Sequence, residues 1–364
     1  MEEELMKIED STLRQGKAGQ VAYKAIGCLF NLPMILMSNR KFRKGLLLPL
    51  YDRKLSAIEN TDEVDCAQQI RQQKTIIYMV LPETTFSGGL SDRLRGIVSI
   101  YAECKRQNLP FRIAFEPLHL QDYLQPNKYD WRIDNEEIIW DSLRCYPCTV
   151  LTYQHNLRNR MQRFSQSYCL RHFLKKNVEQ IHVYSNMATA EDSFAVLFHE
   201  LFKPSEELQR QIDRHLRAIG GKESYISMTF RFRQLLGDFK EGGETLTAEQ
   251  GQKLIKRCMA AVERMHNRFP YDKILVTADS FTFLETLGKC KEVRDYVYII
   301  PGKVVHIGFT FDAEKAVYMK SFVDFYMLSY AKRVILMRDS LMYHSGFPQR
   351  AAMINGSEYA EEYI

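Results

Sequence analysis

Four short stretches of this chain carry residue types able to hold an anionic ligand or move a proton. The first is Gly88-Gly89-Leu90-Ser91-Asp92-Arg93. Glycines let backbone N–H groups approach a ligand, a helix start favours an anion, and Arg93 adds a fixed cation. The spacing is neither a Walker loop nor a GxGxxG fingerprint, so a tight turn with a surface ion pair reads equally well. The second runs from Arg231 through Arg233 to Asp238. On an extended backbone Arg231 and Arg233 share a face, and arginine forks match phosphate oxygens. A carboxylate beside such an arginine suits a general base, although an Arg–Asp pair bracing the loop fits the same residues. The third is Ala278-Asp279-Ser280, where an acid can accept hydrogen bonds from a ribose or base, or cap the next helix. The fourth is Ser345-Gly346-Phe347, a small-residue turn into a helix that could cradle a phosphate, with His344 beside it.

These stretches fall where predicted strands hand over to helices. A β-branched run at 75–81 is followed by the glycine turn, a helical apolar rhythm over 92–107, and a strand at 111–115. Strands are less distinct at 148–153 and 181–184. A helix opens after Ser205, which can cap it, and ends at Gly220-Gly221. Beyond that, strands at 225–230, 273–277, 296–300 and 333–337 alternate with helices at 254–265, 280–287, 321–331 and 347–354. Repeated alternation argues for parallel sheets covered on both faces, with ligands beyond the carboxyl ends of the strands. The domain reading is an extension over 1–73, a first α/β domain over 74–220 and a second over 221–364.

Length and composition are consistent with this. A chain of 364 residues suggests about two domains. With 45% hydrophobic and 26% charged residues, disordered and fibrous classes are excluded. Fifty Lys+Arg against 45 Asp+Glu is a weak excess, which argues against a nucleic-acid partner. The longest apolar stretch, Ala25–Met37, is short of the roughly 20 residues that span a bilayer. Basic residues over 39–44 follow it, so 25–44 reads either as a peripheral membrane contact or as a solvated turn. Glu2, Glu3 and Glu4 are the wrong sign for a signal peptide, and a cytoplasmic protein is expected. Of eight cysteines only Cys145 and Cys148 have CxxC spacing, and no second pair completes a zinc site. Reduced, buried thiols and no bound metal are expected.

Taken in order, the pieces resemble one family, the fucosyltransferase superfamily of α1,2-, α1,6- and protein O-fucosyltransferases, its bacterial nodulation-type and plant cell-wall members above all. Gly88 to Leu94 resembles the family's early Gly-x-Gly-Asp/Asn-Arg-Leu turn. Leu201-Phe202-Lys203-Pro204-Ser205 resembles Leu-Phe-x-Pro-Ser, and Val276-Thr277-Ala278-Asp279-Ser280 resembles Val-Phe-Ser-Asp-Ser. Thr229-Phe230-Arg231 falls where His-x-Arg is usual, and Ser345-Gly346-Phe347 resembles a late Ser-Ser/Gly-Phe turn. The match covers about residues 75 to 364.

The resemblance implies an α/β, GT-B architecture of two facing Rossmann-like domains with a cleft between them. It implies inverting, metal-independent transfer of fucose from GDP-fucose to a hydroxyl of a glycan or lipid-linked glycan, in bacterial surface polysaccharide synthesis. GDP-fucose is then the donor substrate, and no cofactor is implied. Arg231 takes the role of gripping the diphosphate, Asp279 that of contacting the nucleoside, and Ser345, Gly346 and Phe347 that of backing the phosphates. Gly88, Gly89, Arg93, Arg233 and Ser280 complete the expected donor site. Thr229 departs from the usual histidine. The acid that often follows the arginine closely is delayed to Asp238, with Glu241 and Glu244 as alternative bases. A transferase for another nucleotide sugar and a non-catalytic GDP- or glycan-binding scaffold are the competing readings.

Overall fold

The structure is a computed structural model that describes residues 32–59, 74–84, 88–151, 160–238, 245–302 and 315–364. The chain divides into two compact units. The first draws on Met1–Val80, Arg95–Ala114 and Ile133–Glu191, and the second on Leu81–Leu94, Phe115–Arg132 and Asp192–Ile364.

The first unit is built on a four-stranded sheet. Its strands are β1 (Thr75–Val80), β2 (Phe111–Phe115), β4 (Cys145–Val150) and β5 (Gln180–Ser185), in the order β2-β1-β5-β4. β5 runs parallel to both β1 and β4. Near-continuous apolar runs such as Thr75–Val80 are what a strand covered on both faces needs. Helices α2 (Leu90–Gln107) and α3 (Arg160–Leu174) follow β1 and β4. α2 lies so close to the sheet that a Cβ on Gly96 would fall 2.5 Å from the Ser185 carbonyl oxygen. Cys145 and Cys148 both lie in β4, buried and unpaired. Three residues apart on a strand, they point to opposite faces and cannot chelate one ion together. Burial pushes the Cys145 thiol up to about 12.

Helical backbone also covers β4, one of the two outer strands of this sheet. It starts at residue 32, passes through a π-type turn at Arg43–Leu47 and continues as α1 (Leu48–Glu59). The Asn39 side-chain oxygen accepts the Thr149 N–H at 2.8 Å, and the Arg43 guanidinium lies over the Tyr146 ring. Tyr51 reaches the sheet interior, with its hydroxyl 2.7 Å from His182 Nδ1 and 3.0 Å from the Tyr184 hydroxyl. His182 Nε2 sits 2.9 Å from Gln180 Oε1, which also accepts the Ile139 N–H. His182 therefore donates from Nε2, and with the ring kept neutral by burial Nδ1 accepts from the Tyr51 hydroxyl.

Burial holds His182 far below its ordinary value, down to about 3. In the unfolded chain it titrates near 6.5, so its contribution is complete above that pH and is lost as pH falls toward 3. Between those limits the loss approaches about 1.4 kcal/mol per pH unit. Unfolding free energies measured from pH 7 to pH 5 are expected to fall with that extra slope, and His182→Asn, less stable at pH 7, to lack it. Equal slopes for the two proteins would contradict the assignment.

The second unit centres on a five-stranded sheet of β7 (Tyr225–Phe230), β8 (Lys273–Ala278), β9 (Val297–Tyr298), β10 (Arg333–Arg338) and β11 (Glu358–Tyr363). The order is β11-β10-β7-β8-β9, and every neighbouring pair is parallel. β7 is joined by helix-containing segments to β8 on one side and, later, β10 arrives on the other. This is the strand order of a Rossmann half, whose switch point lies between β7 and β10. Its helices are α6 (Ala248–Arg268), α7 (Phe281–Lys289), α8 (Lys315–Ser329) and α9 (Phe347–Asn355). The same unit holds α4 (Phe194–Leu201), α5 (Glu206–Ile219) and a small antiparallel ribbon of β3 (Leu124–Pro126) with β6 (Phe202–Pro204). Ser205 caps α5 through Leu208 N–H, and Gly220 ends it at φ +109°, as the sequence predicts. β9 is two residues instead of the predicted five. β11 was not predicted, because its sequence Glu-Tyr-Ala-Glu-Glu-Tyr lacks the apolar run of a covered strand. It is an outer strand whose acids pair with Arg333, Arg338 and Arg268.

Candidate active site

The residues singled out in the second half gather at the carboxyl edge of its sheet. Arg231 leaves the end of β7, and Asp279 leaves the end of β8, next to it. The Asp279 carboxylate takes three donors: Arg231 Nη1 at 2.5 Å, Phe232 N–H at 2.7 Å and Arg233 N–H at 2.7 Å. Consecutive amides can aim at one carboxylate because Arg233 turns into the left-handed region, at φ +54°. Burial pushes the Asp279 carboxyl up, against the pull of Arg231 and the two amides. Asp279 is 5% exposed and the Arg231 side chain 15%, so the guanidinium is the more accessible member of a largely buried pair. Thus Asp279 sets the loop that presents Arg231.

Asp238 and Ser280 meet at the start of α7. Ser280 Oγ donates to Asp238 and accepts the Phe283 N–H, capping the helix. Asp238 also accepts the Thr282 hydroxyl at 2.8 Å and its N–H at 3.3 Å. Glu241 and Glu244 lie outside the described residues.

The segment after β10 completes this edge. Tyr343 N–H donates to the Arg231 carbonyl at 3.1 Å, and the Arg233 guanidinium packs 5.0 Å over the Tyr343 ring. The loop thus crosses the switch point. Ser345 Oγ accepts the Phe347 N–H at 3.3 Å, just ahead of α9. Gly346 C=O accepts from Ser91 Oγ at 3.2 Å, which brings the first glycine turn to the last one. Gly88 needs its φ of +80°, and Arg93 Nε donates back to its carbonyl at 2.9 Å. Arg93 is 1% exposed and lies over the Phe115 ring, so its cation faces inward. His344 is turned the other way, 2.8 Å from Glu361 on β11, which also holds Arg338 and Tyr359. Burial would raise the Glu361 carboxyl, but these partners hold it below the usual range.

Tyr343 and Glu361 went unseen in the sequence, and Ser91 was read only as part of the first glycine turn. Tyr343 had a signal, as the aromatic inside the small-residue loop after β10; Glu361 had none. Among the described residues no group of three His, Cys, Asp or Glu side chains could hold a metal ion.

No protein-family model matches the chain, and no curated protein matches it. Solved structures do resemble it. NodZ α-1,6-fucosyltransferase soaked with GDP-fucose is similar at 15% identity over 78% of this chain and 93% of its own, with a TM-score of 0.49. A mutant of Arabidopsis thaliana FUT1 in complex with GDP is 11% identical over 85% of this chain and 74% of its own, with a TM-score of 0.48. POFUT1 in complex with GDP is 10% identical over 80% of this chain and 98% of its own, also at 0.48. Likenesses at this level transfer no residue's role, so the functional reading rests on this chain's own site.

Proposed function

We propose that the chain is a glycosyltransferase that moves fucose from GDP-fucose to a hydroxyl of a glycan or lipid-linked glycan, with inversion and without a metal, in bacterial surface polysaccharide synthesis. The observation that carries this reading is Arg231 at the mouth of β7, beside the switch point, fixed by Asp279 and crossed by the loop that leads to Ser345 and Gly346. As the sugar–phosphate bond breaks, the departing diphosphate gains negative charge. A guanidinium already oriented by a buried carboxylate stabilises that charge without reorganising. Ser345 and Gly346 lead into α9, whose N-terminal end adds partial positive charge, while the Phe347 N–H is taken by Ser345 Oγ.

The proton of the acceptor hydroxyl passes to a carboxylate of the loop that follows Arg231. Asp238 is the described candidate, and its bonds to Ser280 and Thr282 fix its position. Glu241 and Glu244 are its alternatives beyond the described residues. Unpaired cysteines, Cys104 and Cys169 among them, fit a reducing, cytoplasmic setting.

Thermal unfolding with a panel of nucleotides tests the donor. GDP and GDP-fucose are expected to stabilise the protein, by about 2.7 kcal/mol at a hundredfold excess over Kd. UDP and ADP should leave it unchanged. A larger shift with either of them would replace the guanine nucleotide and favour another nucleotide sugar.

One observation favours a second reading. Thr229 stands where the resemblance expects histidine, and its hydroxyl lies buried, 2.9 Å from that of Thr277 on the neighbouring strand. A side chain spent inside the sheet cannot meet a ligand. A non-catalytic scaffold would bind GDP yet release no fucose with any acceptor.

A further inference from the structure

We propose that the outward face of the helix over 32–44 docks this protein on an anionic phospholipid surface. The opposite face is fixed on the first unit: Ile35, Asn39, Leu47, Leu50 and Tyr51 are all buried there. Helical spacing then turns Met34, Met37, Lys41 and Lys44 outward along one stripe. Met34 is 40% exposed, Leu36 39% and Met37 70%. One turn on, Arg40, Lys41 and Lys44 are exposed too.

The charge pattern selects the partner. Between Asp10 and Asp52 the sequence contains no acid, while Arg14, Lys17 and Lys24 precede the four cations of 40–44. The four cations of the described helix, with no acid beside them, are most of the net +5 of the whole chain. Nucleic acid would be served by the cations alone or with stacking aromatics. A bilayer takes both parts: exposed methionines enter the acyl boundary while the flanking cations meet the headgroups. Among the described residues no helix is long and apolar enough to cross a membrane, so the contact is peripheral.

Flotation of the full chain with vesicles tests this, independently of sugar transfer. Binding is expected to phosphatidylcholine vesicles containing about one-third phosphatidylglycerol and not to phosphatidylcholine alone. It should be lost in about 1 M salt, where the screening length shrinks to about 3 Å. Reversing the three exposed cations (R40E/K41E/K44E) should weaken binding at least about 100-fold, at roughly fivefold per cation. Met34→Ser with Met37→Ser should weaken it about tenfold. Both variants should keep the wild-type unfolding temperature and its shift with GDP, since these side chains face away from the core. Failure of the wild type to float with anionic vesicles at low salt overturns the proposal. So does equal binding by the charge-reversed variant, or displacement of the vesicles by a single-stranded oligonucleotide.

Discussion

Replacing Arg231 with alanine is expected to lower the proposed fucose transfer by about 100- to 1000-fold, the loss typical when one donor to a developing anion is removed. Arg231→Lys keeps the charge but not the planar fork, and should recover only a small part of the rate. The structure adds a second consequence. Arg231 is also the cationic partner of Asp279, which is 5% exposed. Removing one member of a buried pair costs about 3–5 kcal/mol, here moderated by the Phe232 and Arg233 amides that remain on the carboxylate. Arg231→Ala should therefore be assayed well below its own unfolding temperature. Adding Asp279→Asn should restore stability only in part and transfer not at all, because the amide needs no counter-charge but offers one acceptor oxygen to the Phe232 and Arg233 N–H groups. Turnover of Arg231→Ala within a few-fold of wild type, measured as GDP release with acceptor, would show that this guanidinium does not meet the diphosphate.

The second large effect lies in α8. Lys320 and Asp324 form an ion pair one turn apart, with Nζ 2.6 Å from Oδ1 and 2.5 Å from Oδ2. Their side chains are 5% and 7% exposed, in a helix buried all round from Tyr318 to Ser329. Burial pushes the Asp324 carboxyl up against the pull of Lys320. Asp324→Leu would leave an ammonium in the core, and Lys320→Met a carboxylate. Each is expected to cost about 3–5 kcal/mol. For a unit of this size that is about 2–4 °C in Tm per kcal/mol. The double substitution removes both desolvation penalties and should be neutral or stabilising by about 1–4 kcal/mol. Calorimetry on the three variants decides it. A double variant as unstable as either single one would mean that these side chains hold something besides each other.

The sequence by itself determined the elements whose signals are local. β2 and β7 fall on their predicted residues, and the cap at Ser205 and the stop at Gly220 are as read, because apolar period, capping oxygen and glycine conformation act within a few residues. It also located Arg231, Asp279 and the 345–347 turn at one sheet edge, since alternating strands and helices put every strand end on the same side. The tertiary structure decided the partners. Whether Asp238 braced an arginine was open in the sequence; in the fold it bonds Ser280 and Thr282, and the arginine's partner is Asp279, read in the sequence as a nucleoside contact or a helix cap. The helix over 32–59, read as part of an extension, belongs to the first unit because Asn39 and Tyr51 bond to residues more than a hundred positions away. β11 took its place through pairing with β10 and not through apolar character. Long-range hydrogen bonds and ion pairs leave no period in the chain, which is why only the folded protein could assign them.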